Sequence, residues 1–161
     1  MTAGYDIAMG LRAAYLAMHR RTSGCLARCG VTADQFVLLA LLARQDGITQ
    51  QELARRASSD PNTVRAMLVL LESCGLVARG GHATDRRARC VTLTAKGRQR
   101  CERLSAETKP VRERLVAALR PDETEILLDC LARISEVMGT KDPCHRRRRS
   151  SGEDAKADPD C

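Results

Sequence analysis

Between Thr49 and Gly97 the pattern of apolar residues changes from helical to strand-like and back, and that succession limits the possible folds more than any other feature. Thr49-Gln50-Gln51-Glu52 has the Thr-x-x-Glu form of a capping box, which satisfies exposed amides at the start of a short helix running to about Ala57. After Ser58-Ser59 the chain restarts at Asp60-Pro61, an acidic cap followed by proline where the first helical turn needs no amide donor. Val64, Met67, Leu68 and Leu71 then recur at helical spacing up to Cys74-Gly75, where glycine can take the left-handed conformation that closes a helix. Two short helices separated by so tight a turn, the second with a polar amino end, outline a helix-turn-helix. Leu76-Val77-Ala78-Arg79 and Cys90-Val91-Thr92-Leu93 read as two short strands around a Gly- and Arg-rich loop, a candidate wing.

Helical patterns flank this centre. From Asp6 to Arg28, Ile7, Leu11, Tyr15 and Met18 draw one apolar stripe. Thr32 is placed to cap a second helix in which Phe36, Leu38, Leu39, Leu41 and Leu42 leave almost no polar side, so it belongs in the core and ends at Gln45-Asp46-Gly47. Thr94-Ala95-Lys96-Gly97 caps a helical stretch to about Leu119, interrupted at Pro110. Pro121-Asp122-Glu123 opens a last helix, where Leu127, Leu131, Ile134 and Met138 keep the spacing of a packing seam. From Gly139 the periodicity stops, and a tail with Arg146 to Arg149 followed by acidic residues is expected to be disordered.

At 161 residues and 43% hydrophobic, the chain suits one domain with an ordinary core. The excess of 27 Lys and Arg over 20 Asp and Glu gives +7, which suits a polyanionic partner or simply a soluble basic protein. One Phe, two Tyr and no Trp provide almost no rings for stacking bases, which argues against single-stranded nucleic acid and leaves duplex DNA as the better fit. Without a basic segment and apolar run at its start or a run long enough for a membrane span, the chain is expected in the cytoplasm, with no membrane partner. Its eight cysteines are scattered through helical patterns, no Cys-x-x-Cys pair occurs and the three histidines are far apart, so reduced thiols are expected and neither metal nor cofactor is implied. Nor is there a phosphate-binding glycine loop or a histidine in an acid/base setting, so no enzyme is expected.

From about the first helix to about Met138 the sequence resembles the MarR family of winged helix-turn-helix regulators, most densely from Asp60 to Gly97. The family's Leu-Glu-x-x-Gly-Leu-Val pattern stands as Leu71-Glu72-Ser73-Cys74-Gly75-Leu76-Val77. Its wing signature stands as Asp85-Arg86-Arg87, then Leu93-Thr94 and Gly97. The resemblance implies a mainly α fold with a small β-hairpin wing. A DNA-binding lobe at about 32–97 would join dimerisation helices at about 5–30 and 98–138, followed by the tail at 139–161. It implies a ligand- or stress-responsive repressor that binds a pseudo-palindromic operator as a homodimer, its two recognition helices about 34 Å apart in adjacent major grooves.

Asn62, Thr63 and Arg65 crowd the amino end of the expected recognition helix, where side chains reach base edges; equally, Asn62 and Thr63 suit capping and Arg65 a solvated charge. Arg87 matches the family's wing arginine, which enters the minor groove, with Asp85 orienting it; the alternative is an ion pair that only stabilises the hairpin. Arg86 and Arg89 suit phosphate contacts. Where many relatives carry a basic residue after Arg65 this chain has Ala66, and Leu70 replaces another commonly polar residue, so its base preference is expected to differ, with Leu70 in the core. Relatives respond to small aromatic or lipophilic compounds or to cysteine oxidation. Cys25 and Cys29 lie one helical turn apart near Arg20, Arg21 and Arg28, the setting of a redox-sensitive thiol or of small residues in a cysteine-rich chain.

Overall fold

The computed structural model describes residues 2–81 and 89–139. The chain divides after Leu115 into two compact units. In chain order the elements are α1 (Ala3–Leu26), α2 (Ala33–Arg44), β1 (Ile48–Thr49), α3 (Gln50–Arg56), α4 (Pro61–Ser73), β2 (Val77–Gly81), β3 (Arg89–Leu93), α5 (Ala95–Glu107), α6 (Lys109–Ala117) and α7 (Pro121–Gly139).

In the first unit, side-chain caps set the helix starts. Thr32 Oγ1 accepts from the Gln35 amide at 3.1 Å while Gln35 Oε1 accepts from the Thr32 amide at 3.0 Å, a complete capping box for α2. Thr49 accepts from the Glu52 amide and Thr94 from the Gly97 amide, at 3.1 and 2.9 Å. The core gathers Leu26 of α1, Leu38, Leu39 and Leu42 of α2, Leu53 of α3, Val64, Leu68 and Leu71 of α4, Val77 and Val91 of the hairpin, and Leu104 of α5, each at most 2% exposed. Pro110 acts as expected: α5 closes at Glu107, Thr108 donates its hydroxyl to the Leu104 carbonyl, and α6 starts at Lys109.

The sheet has the order β1-β3-β2, antiparallel throughout. β1 has no counterpart in the sequence reading, because two residues are too few for an alternation to register; Ile48 pairs with Val91 and Thr49 with Cys90. The strands of the hairpin also run through both glycines, with Gly80 opposite Cys90 and Gly81 opposite Arg89. Asp46 ties the sheet to the helices. Its carboxylate accepts from the Gly47 and Leu93 amides at 3.1 and 2.9 Å and from the Arg98 guanidinium.

Helix α1 buries only Leu26, and its stripe of Ile7, Leu11, Tyr15 and Met18 stands exposed. In the second unit α7 buries none of its residues, and Ile126, Leu127, Leu128, Val137 and Met138 are exposed. Among the described residues no helix is long and apolar enough to cross a membrane.

Candidate nucleic-acid interface

Helices α3 and α4 are joined by a turn in which Ser58 takes a left-handed backbone, φ 49°, a conformation that costs a non-glycine residue about 1 kcal/mol. Asp60 then caps α4, accepting from the Asn62 and Thr63 amides at 2.9 and 3.2 Å, and Pro61 supplies the first turn without an unpaired amide. The cap is therefore Asp60, which leaves the exposed side chains of Asn62 and Thr63 free of that task. Arg65 is exposed too, and its guanidinium forms no hydrogen bond or ion pair among the described residues.

Leu70 corrects the sequence reading. It is 56% exposed, not in the core, because the 3.6-residue period that buries Val64, Leu68 and Leu71 turns Leu70 to the far side of the helix. Ala66 and Val69 are exposed beside it. The apolar character of Leu70 suggested burial, whereas its angular position already indicated solvent.

At the carboxyl end of α4, the Glu72 carboxylate accepts from the Arg79 amide at 3.3 Å and from Arg79 Nε at 2.8 Å, fastening the recognition helix to the first wing strand. Arg89 opens β3 opposite Gly81. Asp85, Arg86 and Arg87 lie outside the described residues. Near the start of α3, Glu52 accepts from Arg55 Nε at 2.8 Å and from Arg56 Nε at 2.6 Å, and these two guanidinium groups, Arg55 foremost, pull its carboxyl down from an ordinary 4.5 to about 2.

Cys25 and Cys29 line different cavities. Cys25 faces a groove with Arg21, Pro110, Val111 and Arg114. Cys29 opens onto another cavity of about 280 Å³ with Cys74, Lys96, Arg100 and Arg103, and the Arg100 guanidinium donates to its carbonyl. The cations around Cys29 thus come from α5, about 70 residues away, which no local reading could find.

A capped recognition helix, a tight turn before it and an antiparallel hairpin behind it define a winged helix-turn-helix. The MarR family model matches residues 31–88. An HTH-type transcriptional repressor of Mycobacterium tuberculosis, Rv2887, is 40% identical over 76 residues, 47% of this chain and 55% of the relative, so the chain spans about half the length of that protein. The transcriptional regulator HosA of Escherichia coli O127:H6 is 30% identical over 104 residues, 65% of this chain and 77% of HosA. Among solved structures, the transcriptional repressor CouR bound to a 23-mer DNA duplex superposes with a TM-score of 0.70 and 32% identity, covering 83% of this chain and 92% of that one. The chain belongs to the MarR family.

Proposed function

We propose that this protein is a cytoplasmic, homodimeric transcriptional repressor that binds a pseudo-palindromic DNA duplex and is released by a small aromatic or lipophilic effector. The observation that carries the reading is the recognition helix itself: with Asp60 taking the capping amides, the side chains of Asn62, Thr63 and Arg65 project from its amino end. In this reading those three reach base edges in the major groove. Arg87, oriented by Asp85, enters the minor groove, and Arg86 and Arg89 hold phosphates.

Helices over about 5–30 and 98–138 form the dimer, which accounts for the apolar rows on α1 and α7 that stand exposed among the described residues. The lobe of about 32–97 reads DNA, and residues 139–161 are a tail that adds non-specific affinity through Arg146 to Arg149. For the effector, a cavity of about 530 Å³ lies between the end of α1 and the start of α2, walled by His19, Leu26 and Asp34. Oxidation of Cys25 or Cys29 is a second route of release, each thiol lining a cavity open to solvent.

Gel shifts on genomic fragments at two salt concentrations, with sedimentation of the free protein, test this. A dimer whose affinity falls steeply with salt is expected, since each phosphate-bound arginine displaces counterions. A monomer, or salt-independent binding, would overturn it. Arg65→Ala should relax base preference at one place in each half-site, whereas Arg89→Ala should weaken all sequences about equally.

A further inference from the structure

Opposite the buried row Val64, Leu68 and Leu71, helix α4 turns an apolar strip to solvent. Ala66 lies on the far side of the helix from that row, and Val69 and Leu70, 47% and 56% exposed, stand on either side of it one turn further on. Arg65 borders the strip next to Val69, and Thr63 borders it next to Leu70. The acidic groups of this segment are engaged elsewhere, Asp60 with the capping amides and Glu72 with Arg79.

Three side chains of this size are too few for a protein partner, which needs about 800 Å² on each side. The strip is also continuous with Asn62, Thr63 and Arg65, on the helix that would enter the major groove. There the bases present hydrogen-bond donors, acceptors and one apolar group, the C5-methyl of thymine. A donor or acceptor set under Leu70 would lose water without gaining a partner, whereas a methyl group loses nothing there.

We propose that Ala66, Val69 and Leu70 form a methyl-reading strip that packs on thymine C5-methyl groups in each half-site. The proposal rests on the DNA-binding reading above and adds to it the chemistry of recognition: base preference near the middle of α4 comes from apolar contact, with Arg65 as the polar reader beside it.

The test uses a duplex selected by the wild-type protein from a random pool, resynthesised with each thymine in turn replaced by deoxyuridine, which removes the methyl and leaves base pairing intact. At one or two positions per half-site, affinity in an anisotropy titration should fall about threefold to fivefold, the value of one buried methyl. Leu70→Ala should bind the thymine duplex more weakly and lose the thymine-over-uracil preference at those positions, with its melting temperature unchanged because Leu70 is exposed. If the wild type binds its duplex tightly and no replacement alters affinity, the strip does not read methyls, although DNA binding stands. Methyl reading by the strip is equally refuted if Leu70→Ala, Ala66→Gly and Val69→Ala all keep the full preference. Failure to select any duplex at low salt would overturn both readings.

Discussion

Gly97 is the residue where a single methyl group should do most damage. An ideal Cβ built there would lie 1.9 Å from the Leu76 carbonyl oxygen and 2.9 Å from its carbon, against the 3.4 Å at which ordinary contact begins. The obstacle is backbone, and it is held: the Leu76 oxygen accepts from the Thr94 amide at 3.1 Å, while Thr94 Oγ1 caps the Gly97 amide at 2.9 Å. Gly97→Ala must therefore push the first turn of α5 away from β2 by about 1.5 Å, which is overpacking of the kind that costs about 1 to 3 kcal/mol. Losing the Thr94–Leu76 hydrogen bond adds about 1 kcal/mol, and the better helix propensity of alanine returns about 1 kcal/mol. A net loss of about 1 to 3 kcal/mol, or roughly 5 to 10 °C in melting temperature, should appear in thermal and urea denaturation at matched protein concentration. Gly24→Ala is the control, since that helical glycine has nothing within 4 Å of its Cβ position and alanine there should be neutral or stabilising. An unchanged or higher melting temperature for Gly97→Ala would refute the argument, because helix propensity would then outweigh the contact.

Asp46→Ala should cost about 2 to 3 kcal/mol in urea denaturation by stranding the Leu93 amide, and Asp46→Asn, which keeps an acceptor oxygen but loses the charge facing Arg98, about 1 kcal/mol. Equal losses would assign the effect to the ion pair instead. For Glu52, whose folded carboxyl lies near 2 against an ordinary 4.5, the stabilisation is fully present above pH 4.5 and disappears as the pH falls toward 2. The stability gap between wild type and Glu52→Gln should thus narrow across that window, and a Glu52 carboxyl titrating near 4.5 by NMR would contradict the geometry.

What is legible in the sequence is local and periodic. Thr32, Thr49, Asp60 and Thr94 announce helix starts because each cap involves neighbours two or three residues away. The hairpin announces itself because both strands carry β-branched or apolar residues beside a Gly- and Arg-rich loop. Asp46 is visible there only as the end of α2, since its bond to Leu93 spans 47 residues. The surroundings of Cys29 are hidden for the same reason, with Arg100 at a separation of 71. Leu70 is misplaced for a different reason: its hydrophobicity argues for the core and its phase against, and the buried positions 64, 68 and 71 leave it no place on the inner face.

These contacts converge on one short strand. β2 is held at its start by α5, through the Leu76 carbonyl wedged between Thr94 and Gly97, and further along by α4, through the pairing of Arg79 with Glu72. The root of the wing is therefore fixed to the recognition helix on one side and to α5 on the other. Helix α5 continues from that junction to Arg100, which donates to the carbonyl of Cys29 just beyond the end of α1. Packed interiors have little slack, so a shift of α5 has to be taken up at Leu76. Gly97 stands at that point with no room for a methyl group, so the close approach that makes it sensitive to substitution also makes β2 follow the start of α5.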